Sequence, residues 1–541
     1  MTMAEKFDLL IKGAKIVDGT GNPHYKSDVG IIKGRIARIE QKISSDAAKA
    51  EIQADNQILC PGFLDTHTHD DLYLLARPTC DDKVLQGVTT VVTGNCGLSI
   101  APISEEHETE LKMFFGIAGA KYVKEDQLNL HSFDDYLDKL EGARLGINAI
   151  SLVGHIAIRI AVMGLENRAP SAVEMDKMRE LVAESMKSGA CGLSSGLIYA
   201  PGNFAETAEI TELAKVAARY NGIYTTHLRS EGDAIFPALA EAFEIGKNAD
   251  IPVHVSHHKV TGKQNWGQSV ETLKAINIAR DSGLTVTCDQ YPYLAGSTML
   301  GAALPPSALA EGDRLYAELL NDPSYRANLV ETIETKAEKG WENLVKGAGF
   351  KGIVISIAPQ HPAYIGKSIA GIAEMEHKNP YDVFFDLLMI EKHNVVVVLF
   401  MMEEDDIVRI MKAPATMIGS DGIPGFGVEK VHPRQTGTFP RVLGRYVREK
   451  EVISLEEAIR KMTSFPAQTF GLKRKGVLKE GFDADLVLFN PETILDLATY
   501  EDPNQAPAGI SHVLVNGEVA AENGRITGAT SGTVMRHGIN T

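Results

Sequence analysis

Cysteine is scarce in this chain of 541 residues. The five present (Cys60, Cys80, Cys96, Cys191, Cys288) are odd in number and lack the close spacing of a disulfide scaffold. A cysteine with a special task is therefore expected to be a ligand or nucleophile in a reducing compartment. Basic residues are also short, 54 against 71 acidic ones, for a formal net charge of -17. That balance argues against nucleic acid or an anionic membrane as a partner, because both reward clustered Lys and Arg. No apolar run approaches the roughly 20 residues that span a bilayer. The opening MTMAEKFDLLIKGAK lacks the charged-then-apolar pattern of a secretory signal. Internal repeats and low-complexity tracts are missing too. A cytoplasmic protein is expected.

What remains is the texture of a large enzyme. Hydrophobic residues make up 44% and charged residues 23%, ordinary for a globular chain. The length suits an α/β barrel with a satellite domain. Residues 7 to about 60 alternate apolar and polar positions between glycines, and similar texture returns in DADLVLFNP and HVLVNGEVAAENGRI. Neither piece can bury a core alone, so residues 1–60 and 471–541 are expected to pair in one small β-sandwich. Between them, over 61–470, eight compact runs alternate with amphipathic helical stretches: ILCPGFLDTHTH, GVTTVVTGNC, GINAISLVGH, ACGLSSGL, GIYTTHL, IPVHVSHH, LTVTCDQYPY and TMIGSDG. That order predicts a (β/α)8 TIM-type barrel. The excess chain before the eighth run, about 300–352, reads as a helical insertion at the barrel mouth.

Nearly every run ends in a residue that can bind a metal or move a proton, and in a barrel those ends converge on one mouth. His67 and His69 form HTH; two residues apart on a strand, they face the same side. Cys96 closes VVTGNC where a strand breaks, and a thiolate can hold zinc or bridge two ions. His227 ends the fifth run. The sixth offers His254, His257 and His258; period-two counting sets His257 opposite the other two, which leaves the ligand among them open. Asp421, in IGSDG, is placed to take a proton from water held beside a divalent ion and pass it to a departing amine. ACGLSSGLIY contains no lysine, so the carboxylated lysine that bridges the ions of many two-metal barrel hydrolases has no counterpart, and Cys96 is the available substitute.

These blocks, together with LLIKGAKIVDGTG, PGFLDTHTHDD, TTHLRSEGD, VHVSHHK, HPRQTGTFPRVLGRYVRE and GVLKEGFDADLVLFNP, resemble the amidohydrolase superfamily and, within it, the D-aminoacylases, over almost the whole chain. The resemblance implies a zinc held tightly by Cys96, His227 and His257, with His254 and His258 left to pack, hydrogen-bond or line the pocket. It implies a second, weaker position at His67 and His69 beside Asp421, with Asp421 as general base and acid. It assigns Tyr291, Ser297 and Arg434 to the substrate's carboxylate, although Arg441 and Arg445 lie close to Arg434 in sequence. The expected reaction is hydrolysis of an N-acyl-D-amino acid. A neutral or hydrophobic side chain is favoured, because TMLGAALPPSALAEG carries no Lys or Arg. Alternative readings are a dipeptidase acting on a C-terminal D-residue, a cyclic-amide hydrolase of the dihydroorotase or hydantoinase type, and a non-catalytic barrel scaffold.

Overall fold

The computed structural model describes residues 6–115, 123–336, 338, 341–425 and 430–541. All eight runs are strands of one parallel barrel: Phe63–Asp65, Val88–Thr93, Asn148–Ser151 continued by Val153–Gly154, Gly192–Gly196, Ile223–His227, Val253–Val255, Val286–Gln290 and Thr416–Ile418. Each pairs in parallel with the next. The ring closes where Thr68 bridges Gly422, the Asp421 N–H donates to the His67 carbonyl (2.8 Å), and the His69 N–H donates to the Gly422 carbonyl (2.9 Å). The strands are buried on both faces, as a helix-covered parallel sheet requires, and Val88–Thr93 and Ile223–His227 are rich in β-branched residues. Local chemistry delimits the helices between them. In Ala172–Ser188 the Ser171 hydroxyl caps the Glu174 N–H, and Gly189, at φ 117, ends the helix; Met178, Val182, Ser185 and Met186 form its buried stripe.

The chain ends build one nine-stranded sheet rather than two separate layers. The join is antiparallel, Ile58–Pro61 with Leu486–Phe489, and places Leu59 opposite Leu488. The sheet wraps round until Arg35 bridges Asp483. It thereby encloses Ile11, Ile16, Ile31, Leu59, Leu486, Leu488 and Leu514 in one core. Alternation does the rest: Val487 and Phe489, on the other face of the same strand, pack into the barrel's cluster. Not all of 471–541 lies in this sheet. Val534–Met535 pair in parallel with the third barrel strand, and Arg536 holds Glu141 at 2.9 Å, with Asp134 and Asp138 beside it.

The excursion between the last two barrel strands is larger and more mixed than a helical insertion over 300–352. The helices Pro306–Leu309, Asp313–Ala317, Pro323–Thr335 and Leu344–Gly352 are there. They are joined, however, by an antiparallel sheet in the order Ala295–Met299, Val396–Phe400, Ile353–Ile357. AGSTM has little strand propensity of its own; pairing against VVVLF makes it a strand. Among the described residues no helix is long and apolar enough to cross a membrane.

Leu488→Ala should lower the unfolding free energy by about 2–5 kcal/mol in denaturant titrations, the cost of a cavity where the two termini meet, while metal content stays at the wild-type level.

Candidate active site

Six side chains from four strand ends and the Asp421 loop meet at the barrel mouth. Cys96 Sγ lies 3.3 Å from His67 Nε2, 3.5 Å from His257 Nε2 and 3.7 Å from His227 Nδ1. Asp421 Oδ1 lies 3.5 Å from His67 Nε2 and 3.4 Å from His69 Nε2. Three donor sets result: His67, His69 and Cys96; Cys96, His227 and His257; and His67, His257 and Asp421. Within each set the atoms lie within 4.8 Å of one another. Cys96 belongs to the first two, as a thiol lying between two cation positions would.

The backbone is bent to aim these groups. Cys96 (φ 54), His257 (φ 38) and Asp421 (φ 50) all adopt the left-handed region, uncommon for residues with a Cβ. Before Cys96 the turn needs Gly94 (φ 74), where a Cβ would sit 2.0 Å from the Leu152 carbonyl oxygen. The sixth strand stops at Val255, so its pleat does not extend to His257, whose N–H is held by the Asp289 carboxylate. His254 faces away, with Nδ1 2.9 Å from Thr287 Oγ1 and Nε2 3.1 Å from Asp289. His258 Nε2 contacts Thr272 at 3.0 Å. Both pack and hydrogen-bond outside the cluster.

Electrostatics suit a cation. Burial drives the His227 and His257 pKa values well below the ordinary imidazole range, which keeps both rings neutral with a lone pair to offer. Burial opposes the Asp421 charge, but the Arg434 charge and the His69 hydrogen bond outweigh it and hold the carboxyl well below its usual range. Burial, followed by the Asp421 charge, pushes the Cys96 thiol up; a divalent ion reverses that balance by taking the thiolate. Buried sulfur, imidazole and carboxylate donors converging within 4.8 Å of one another fit zinc.

On the far side of Asp421 lies Arg434, fully buried, with Nη1 2.8 Å from Asp421 Oδ2. Its guanidinium sits 4.6 Å above the Tyr291 ring, and Nη2 donates to the Ser297 carbonyl at 3.2 Å. Arg441 instead pairs with Asp496 at 2.8 Å and Arg445 with Glu404 at 3.6 Å, both away from the cluster. A cleft includes His69, Asp421 and Ser297 and is walled by Leu98, Ile100, Leu111, Ile156, Met299 and Ile423; no Lys or Arg lines it among the described residues.

Several neighbours were not singled out from the sequence. Asp289, at the end of the seventh strand, lies 3.6 Å from His67 Nδ1; its strand-end position carried the same signal as Asp421. Glu231 and Lys259 flank His257, at 3.0 and 2.7 Å from Nδ1, and stand in the quoted blocks TTHLRSEGD and VHVSHHK. Lys83 is fully buried, 2.9 Å from Asp65 and 2.8 Å from Ser420; no local pattern reveals a lysine whose partners are so distant in sequence.

A model of the amidohydrolase family matches residues 50–521. The D-aminoacylase of Alcaligenes xylosoxydans xylosoxydans is 38% identical over 532 residues, 98% of either chain. The N-acyl-D-glutamate deacylase of the same organism is 37% identical over 515 residues, 95% of this chain and 94% of that one. Among solved structures, the N-acyl-D-glutamate deacylase of Bordetella bronchiseptica is complexed with zinc and a phosphonate mimic of the tetrahedral intermediate. It matches with a TM-score of 0.82 at 35% identity, covering 98% of this chain and 100% of that one.

Cys96→Ala should strip both donor sets that share the sulfur. Metal analysis after dialysis is expected to find little zinc; a wild-type content would remove the thiol from the centre.

Proposed function

Because the chain belongs to the amidohydrolase family, in its D-aminoacylase branch, we propose that it is a zinc-dependent hydrolase of N-acyl-D-amino acids with neutral or apolar side chains. The observation that carries this reading is the position of Asp421. One carboxylate oxygen faces the His67 and His69 nitrogens at 3.5 and 3.4 Å, and the other is 2.8 Å from the buried Arg434. Cation donors, a base and an anion grip thus follow one another along a single line of contacts.

Cys96, His227 and His257 would hold the tightly bound zinc, and His67 and His69 with Asp421 a second position. Zinc supplies Lewis acidity, polarising the scissile carbonyl and bringing the pKa of water to about 7. Asp421, ionised at neutral pH, accepts the proton of the attacking water and orients its oxygen towards the acyl carbon. As the C–N bond breaks, the protonated Asp421 returns that proton to the nitrogen, and a carboxylate and a D-amino acid leave. Arg434 meets the substrate's α-carboxylate, held flat by Tyr291 and steadied by Ser297; a planar fork suits a two-oxygen anion. The apolar walls take the side chain. An acidic side chain would have to be desolvated there with no cation to meet it.

The missing lysine disfavours the cyclic-amide reading. On the fourth barrel strand Ser194 bonds the Gly94 carbonyl and Ser195 is 2.7 Å from the Tyr224 hydroxyl, so no side chain there can bridge two ions. Chirality follows from three fixed contacts: carboxylate at Arg434, carbonyl at the metal position, and side chain in the cleft.

Asp421→Asn should keep the tightly held zinc yet lose about 10²–10⁴-fold in kcat, the usual contribution of a positioned acid–base group; near-normal turnover would take the proton-transfer role from Asp421. In a substrate panel, kcat/KM for N-acetyl-D-leucine should exceed that for N-acetyl-D-glutamate by at least about 100-fold, since an ionised carboxylate buried without a partner is costly. Comparable turnover of N-acetyl-L-leucine would refute the three-contact account of chirality.

A further inference from the structure

Glu231 follows the fifth barrel strand and is buried, 4% exposed, with no place in the chemistry above. Its two oxygens face two different histidines: Oε1 lies 3.0 Å from His257 Nδ1, and Oε2 lies 3.7 Å from His227 Nε2. Those histidines present opposite nitrogens to the cluster, Nε2 from His257 and Nδ1 from His227. A neutral imidazole has one N–H and one lone pair. With the lone pairs turned towards the cation position, the protons must sit on His257 Nδ1 and His227 Nε2, the two atoms that Glu231 faces. His227 Nε2 is buried and has no hydrogen-bond partner, with Oε2 standing 3.7 Å away across an ion-pair distance.

We infer that Glu231 is a positioning residue of the metal centre, a single carboxylate that sets opposite tautomers on His227 and His257 by accepting one N–H on each oxygen. Carboxylates commonly fix metal-bound imidazoles one at a time; here one would serve two rings. The inference rests on the reading that the cluster holds zinc. Glu231 is itself braced. Lys259 Nζ lies 2.6 Å from Oε1 and 2.7 Å from His257 Nδ1; with Nδ1 protonated, the lysine N–H is directed to Oε1, on a carboxylate with lone pairs enough for all three donors. Glu342, from the insertion, accepts the Glu231 backbone N–H at 2.6 Å and the Thr261 hydroxyl. The insertion therefore bears on the metal donors through Glu231, at the opposite side from the cleft wall it supplies with Met299.

The test is zinc affinity of the full-length, metal-stripped protein, by competition with a chromophoric chelator. Glu231→Gln keeps the shape but offers one acceptor oxygen and one N–H group, so it can serve only one ring. Its zinc dissociation constant should rise about 10–100-fold, measured on metal-free protein whose near-ultraviolet circular dichroism matches the wild type. Zinc binding within twofold of wild type would overturn the inference. A second measurement needs no variant: histidine-labelled, zinc-loaded wild type should show the His257 proton on Nδ1 and the His227 proton on Nε2 by long-range ¹H–¹⁵N NMR. The same tautomer on both rings would overturn it equally. Wild type that binds no zinc would instead defeat the metal reading itself, and this inference with it.

Discussion

Aiming three side chains into one mouth forces the chain out of regular strand geometry, and most of what surrounds the site exists to hold it there. Cys96, His257 and Asp421 each sit in the left-handed region, at a cost on the order of 1–3 kcal/mol apiece. Each has a local restraint: the glycine turn before Cys96, the Asp289 carboxylate on the His257 N–H, and the His67 carbonyl on the Asp421 N–H. A buried polar lattice stands behind them. Lys83 is clamped by Asp65 and Ser420, and Asp65 in turn accepts the Ser420 N–H at 2.8 Å, immediately before Asp421. Removing one member of such a set leaves an unpaired buried charge, which is far costlier than never having buried the pair.

The barrel was legible because its strands are short β-branched runs that end in polar residues, and because that order admits few topologies. The pairing of the termini was legible because neither piece could bury a core alone. The limits are equally physical. Counting by twos cannot choose among His254, His257 and His258, since the pleat stops at Val255 and a single positive φ turns His257. Family resemblance, not spacing, singled it out. The strand Ala295–Met299 has no periodic signature and exists only through its partner. Lys83 owes its position to partners that the barrel brings near, so its sequence neighbours say nothing of it, whereas Asp289 stood at a strand end and Glu231 and Lys259 stood inside motif blocks without a pattern that gave them a task. Arg434 was one of three arginines in a short stretch; only coordinates separate it from Arg441 and Arg445, whose carboxylates lie elsewhere.

The excursion before the last barrel strand is more than a cover. Its sheet carries Ser297, whose carbonyl takes an N–H from Arg434, and Met299, part of the cleft wall. His432 ties the two parts together: Nδ1 accepts the Arg434 N–H at 3.0 Å, and Nε2 donates to the Ala295 carbonyl at 2.9 Å. Burial drives its pKa well below the usual range, followed by the Arg434 charge, and only the neutral ring can both accept and donate in this way. The anion grip and the Met299 side of the cleft consequently belong to one mechanical unit, while Leu98 and Ile100 on the other side follow directly from the Cys96 turn.

The antiparallel join of Ile58–Pro61 to Leu486–Phe489, with Val534–Met535 laid against the third barrel strand, has a consequence for biosynthesis. The N-terminal strands can pair with one another as they emerge, but the edge of Ile58–Pro61 stays open until Leu486–Phe489 has been made. Closure of so long a loop is slow relative to local contacts. Synthesis must therefore pass Phe489 before that edge can be sheltered, and a chain cut short of it would leave the Ile58–Pro61 edge adhesive.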